Sequence, residues 1–225
     1  TGMGSMMFWG ALSLAIGIRT AVQTVTARRL GQGLHKESGM ALRNGLALAT
    51  LYSLPTSFFV WKYSDSLARF FIENPSATPL TTDYVSIVFT GLLFSSYSFV
   101  FQGFFTGIEK TKIHMKVTIV SNVLNVYLNA GLIYGSSGVQ EFFNEQLSFL
   151  SFLSYLWTWV NFPALGVKGA AIGTLVSSFW MTAHYAVSLL SKQTSKRYSV
   201  LRFSFDREMM KGPVSYTHLT LPTSS

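Results

Sequence analysis

The chain has 225 residues, of which 49% are hydrophobic, 15% aromatic and only 12% charged, about half the charged share of a soluble domain. It holds no cysteine, which excludes disulfides, thiolate metal sites and cysteine nucleophiles. The net charge of +8 would suit nucleic acid if its cations formed one surface, but they lie between apolar runs, so the composition points to an integral membrane protein with no nucleic-acid partner.

Five windows approach the roughly 20 apolar residues that cross a bilayer: 3–27, 40–61, 84–108, 117–135 and 169–190. The first begins almost at Thr1 with no basic region before it, unlike a signal peptide. It carries Arg19, the one formal charge well inside a window. A charge there needs a partner or water, so Arg19 either lines a cavity or makes a structural pair, and Gln23 shares its face one turn later. Arg28 and Arg29 then mark an interface, and Gly31 and Gly33 permit a turn. In the second window Pro55 is expected to kink the helix. Residues 63–83, with Pro75, Pro79 and three acids, read as an irregular outer loop.

The third window ends in Gln102, Gly103 and Gly107, and the fifth begins with Gly169 and Gly173. Both glycine pairs have the spacing that lets membrane helices approach closely. In the fourth window Thr118, Asn122, Asn125 and Asn129 are spaced by four, three and four residues, within a helical arc of roughly 60°. Amides facing hydrocarbon would leave donors and acceptors unpaired, so the stripe should face other helices or a water-filled cavity.

Residues 140–162 are harder to place, because the apolar and aromatic part from Leu147 to Phe162 falls short of a span. The segment reads as interfacial, with a tilted sixth span as the alternative. Charge favours the first reading: thirteen of the seventeen Lys and Arg follow the first, third and fifth windows. That places the loops around 28–43, 109–116 and 191–212 in the cytoplasm, and a sixth crossing would put the last of these outside.

No acidic residue lies in the middle of a window, and His35, His114 and His184 are scattered. Paired carboxylates, a Ser-His-Asp arrangement and a metal cluster cannot be assembled, so no enzyme activity, catalytic residue or metal site is expected. The run from Pro213 to Ser225 has no periodicity and resembles an in-frame translation of a transposon-derived sequencing adapter. The native chain is therefore expected to stop near Gly212.

Three blocks together resemble the multidrug and toxic compound extrusion (MATE) transporters: Thr20 to Gly33, Gln102 to Gly135 with its Asn-x-x-x-Asn stretch, and Pro163 to Thr174. The resemblance implies an all-α, polytopic membrane helix bundle, with residues 1–212 supplying helices two to six of one six-helix lobe in a twelve-helix protein. It implies efflux of cationic or amphipathic small molecules across the cytoplasmic membrane, by antiport against a proton or sodium gradient and alternating access, in a full-length monomer with no other cofactor. Gln102, Asn125, Asn129 and Thr174 match polar cavity positions of that family, with Arg19, Gln23 and Asn122 as further cavity candidates. Asn129 stands where many proton-coupled relatives have an aspartate, and an amide cannot carry a coupling proton. A lipid-linked oligosaccharide flippase of the same superfamily is the alternative, although Arg19 is the one cation available for a pyrophosphate. A nonfunctional fragment is the third reading.

Overall fold

Each of the five windows folds as helix in the computed structural model, which describes residues 2–72 and 77–200. The expected adapter run, and Arg202, Arg207 and Lys211 before it, lie outside the described residues. Helix α1, Gly2–Gly31, is 30 residues long and therefore about 45 Å, more than a hydrocarbon core requires. Arg28 and Arg29 in its last turn complement the negative end of the helix dipole. The chain then reverses at Gly33, with φ of +75°, as Gly33 N–H donates to Leu30 O and Leu34 N–H to Arg29 O, both at 2.9 Å.

Helix α2, His35–Phe71, corrects two expectations. It stays helical through Pro55, and its one non-helical residue is Tyr63, with φ of −110° and ψ of 16°. Packing against α1 on one side of the proline, where Tyr52 Oη donates to Ala11 O at 2.6 Å, holds the helix through a single missing backbone donor. The outer loop is also shorter than its composition suggested. The ion pair of Asp65 and Arg69, one turn apart, lies in helix that continues to Phe71. Helix α3, Thr78–Thr90, begins with Pro79 in its first turn, where proline's missing N–H has no helical partner to lose.

The third window is a bent pair, α3 followed by α4, Leu92–Gly107, at 46° to one another. Gly91 sits at the bend against Leu175, where a Cβ would collide. Helix α5, Thr111–Gln146, runs past its expected end at 135 and breaks there instead. Gly135 takes φ of 75° and ψ of 166°, a conformation essentially confined to glycine. The break frees carbonyls of the preceding turn, and the returning chain takes them: Leu165 N–H donates to Leu132 O at 2.8 Å and Gly166 N–H to Ile133 O at 3.2 Å.

Between these two strands of the break, residues 136–146 finish α5, Ser148–Ser154 form a 3₁₀ segment and Tyr155–Thr158 form α6. This excursion folds back onto α5. Trp157 Nε1–H donates to Tyr127 O at 2.8 Å and Ser136 Oγ–H to Trp157 O at 2.6 Å. Phe149, Phe152, Tyr155 and Trp159 stay largely exposed, Trp159 at 82%. The segment thus forms short helical turns, with α5 occupying the first third of the region expected to be interfacial.

Helix α7, Val167–Leu189, returns beside α5, and α8, Lys192–Tyr198, closes the inner end. Among the described residues α1, α5 and the bent α3–α4 pair are long and apolar enough to cross a membrane; the best windows of α1 and α5 have mean hydropathy of 1.4 and 1.3. The two most extensive interfaces are α1 with α4 and α5 with α7, and each is a glycine seam. Gly103 and Gly107 lie against the Arg19 and Gln23 carbonyls and Thr26, and Gly169 lies against the Leu132 carbonyl.

Two cores stack along the bundle. The outer one joins Phe8, Leu12, Val60, Val85, Phe89 and Leu92. The inner one joins Val22, Leu42, Phe104, Phe105, Tyr185 and Tyr198. Between membrane helices such side chains gain from close packing and not from leaving water, because lipid is as apolar as they are.

Candidate functional site

The polar residues of α5 divide into two groups by what they touch. In the outer group Asn129 Nδ2–H donates to Asn125 Oδ1 at 3.1 Å, one turn away on the same face. The Asn129 amide oxygen packs against Gly173 of α7, where any Cβ would displace it, and it is buried without a hydrogen-bond partner. Thr174, next in sequence, is half-buried and its hydroxyl donates back to Ala170 O at 2.9 Å. Asn129, bonded to Asn125, therefore meets Gly173 at the α5–α7 seam, whereas the hydrogen bond of Thr174 stays within α7. Asn122 is exposed, one helical turn before Asn125.

Gln102 belongs to a different, inner group. Its Nε2 lies 2.9 Å from His114 Nε2 and 3.3 Å from His114 Nδ1, and Nδ1 also lies 2.7 Å from Tyr185 Oη and 3.2 Å from Thr118 Oγ1. The group joins α4, α5 and α7, with Tyr185 fully buried. Arg19 of α1 contributes a positive charge felt at both His114 and Tyr185. Its backbone carbonyl lies against Gly103, the residue after Gln102. Among the described residues no acid pairs with Arg19. Gln23 is half-buried one turn further along α1, with its carbonyl against Gly107.

Sequence reasoning thus missed His114 and Tyr185. A signal for His114 was present, because it lies four residues before Thr118 and extends the same stripe by one turn. Tyr185 carried no such signal, since its place opposite His114 depends on the register of α7 against α5. Along α5 the eleven residues from His114 to Asn125 separate the two groups by about 16 Å. No group of three or more His, Cys, Asp and Glu that could hold a metal ion occurs among the described residues.

The chain is similar to known proteins over most of its length. A probable multidrug resistance protein NorM of Synechocystis is 21% identical over 199 residues, which cover 88% of this chain and 38% of that protein. A NorM of Photorhabdus laumondii is 29% identical over 141 residues, covering 62% and 30%. The chain therefore spans under two fifths of the length of these relatives. An inward-facing multidrug resistance MATE family transporter of the MOP superfamily superposes with a TM-score of 0.73 at 22% identity, covering 92% of this chain and 41% of that one. A MATE in the bent conformation superposes with a TM-score of 0.74, covering 95% and 42%. The fold is thus that of MATE transporters, an all-α membrane helix bundle. The MatE family model matches residues 1–130, more than half of the 225 residues, and the chain belongs to the MatE family.

Proposed function

We propose that this chain forms helices two to six of one lobe of a secondary-active exporter of cationic or amphipathic small molecules, coupled to a proton or sodium gradient and working by alternating access. The observation that carries the reading is the outer amide group. Asn129 keeps a buried carbonyl oxygen without a partner, and an orphaned acceptor at a helix seam is where a cation, a water or a donor on a substrate gains most. The amides are neutral, which suits recognition of varied organic cations without a fixed ion pair. On this reading all five windows cross the membrane, residues 136–162 lie at its outer face, and the turns after α1 and α4 and the α8 region lie in the cytoplasm.

The test is Asn129→Leu in the full-length transporter, with efflux of a cationic dye measured at matched expression. We expect a loss on the order of tenfold, because leucine removes both the acceptor and the bond to Asn125. Unchanged efflux would sink the assignment. Movement of a lipid-linked saccharide but not of dyes would support a flippase instead.

A further inference from the structure

A second polar group, away from the amide pair, remains to be explained, and its chemistry differs. Asn125, Asn129 and Thr174 cannot titrate near neutral pH, whereas His114 can. His114 sits one turn inside the start of α5 at the end bearing Lys110, Lys112 and Lys116, and is only half-buried. Every polar atom of its ring is engaged by another helix.

Gln102 Nε2 lies 2.9 Å from His114 Nε2 and 3.3 Å from Nδ1, so the amide faces both ring nitrogens. Nδ1 also lies 2.7 Å from Tyr185 Oη and 3.2 Å from Thr118 Oγ1, hydroxyls that can donate to a bare ring nitrogen or accept from a protonated one. The neutral ring and the imidazolium can therefore both be satisfied by these side chains while α4 and α5 keep their places. Gln102 Oε1, buried without a partner, is a further acceptor in the same group.

We propose that His114 is a proton-binding site of the transporter, with Gln102 of α4 and Tyr185 of α7 holding the ring. The proposal rests on the exporter reading and names the ion that this lobe takes up. The groups facing His114 are the neutral Gln102 from α4, the phenol Tyr185 from α7 and the guanidinium of Arg19 from α1. On its own helix Thr118 lies one turn later, and Lys110, one turn before, donates to Thr194 Oγ1 at 2.8 Å. Arg19 opposes a second positive charge, so proton binding at His114 is linked to whatever neutralises or displaces that guanidinium.

The experiment uses the full-length transporter in liposomes, with a cationic dye as the probe. Dye affinity is measured from pH 5 to 8, and uptake is driven by a pH gradient or by a sodium gradient. Wild type is expected to show one affinity midpoint in the range where histidine titrates, and His114→Gln to abolish it and cut pH-driven uptake by about tenfold. If His114→Gln fails to fold, Gln102→Glu serves instead: a carboxylate beside the ring favours the imidazolium and should raise the midpoint by about one pH unit. A midpoint that survives His114→Gln, one unmoved by Gln102→Glu, or uptake driven by sodium alone overturns the proposal while leaving an exporter. A wild type that moves no dye under either gradient overturns the exporter reading, and this one with it.

Discussion

The two halves of the α5 seam carry polar groups of opposite character. At the outer level two neutral amides bond to each other and leave one acceptor open, against a glycine that gives them room. At the inner level a titratable ring is held by three side chains on three helices, in the field of the Arg19 guanidinium, which has no acid partner among the described residues. An open acceptor invites a ligand, whereas a fully bonded ring resists one and responds to protons. On the proposed function, binding and coupling would be separated by about three turns of α5.

The seams that hold the two levels apart offer the largest breaks. Gly103→Val would drive a side chain into the Arg19 backbone, and Gly169→Val into the Leu132 carbonyl that Leu165 N–H needs. Each is expected to destabilise by about 1–3 kcal/mol or more, read as a fall in thermal midpoint in detergent. The comparison sharpens if the damage is local. Gly103→Val should abolish the response of dye affinity to pH, and Gly169→Val should weaken dye binding at every pH. Identical losses in both would mean that the levels are one site.

Gly135→Ala is next in size. Alanine does not tolerate φ of 75° with ψ of 166°, and its Cβ would press on Ala164. A cost of roughly 1–3 kcal/mol is expected, with faster proteolysis within residues 136–166 as the readout. Because Leu165 and Gly166 pair with the turn before the break, the outer group should lose more than the inner one. A variant as stable as wild type would show that the excursion contributes nothing to the seam.

Much of this organisation was legible from periodicity and charge. The Asn125–Asn129 bond follows directly from a spacing of four, and both glycine pairs lie where helices meet because small residues have few other uses at such spacing. The legible part ended where partners come from distant sequence. Nothing in α7 marks Tyr185 as the residue opposite His114, and Asn122 shares the stripe yet stays exposed because no described helix reaches it. Composition also misled at residues 63–71, since prolines and acids near a helix end resemble a loop. At Pro55 the backbone stays helical and the break in α2 falls at Tyr63 instead, which no residue type there signals.

A smaller pH effect separates the inner polar group from the docking of α8 beneath it. Tyr198 is buried between His35 and Phe104, its carbonyl lies against Gly39, and Arg43 Nη1–H donates to Ser199 O at 2.7 Å. Burial pushes the Tyr198 phenol above its ordinary value of 10.0; Arg197 opposes that shift and Glu109 adds to it. A phenol raised in the folded state contributes stability that is intact below the unfolded value and is lost as pH rises through the folded one. Docking of α8 should therefore loosen only above about pH 10, and Tyr198→Phe should remove that alkaline step while leaving neutral stability within about 1 kcal/mol. Cleavage at the α7–α8 junction, followed from pH 7 to 11, measures it. An alkaline step that persists in Tyr198→Phe would assign it to another group, whereas a step below pH 8 that disappears in His114→Gln would tie α8 to the histidine and join the two inner features into one pH-sensitive unit.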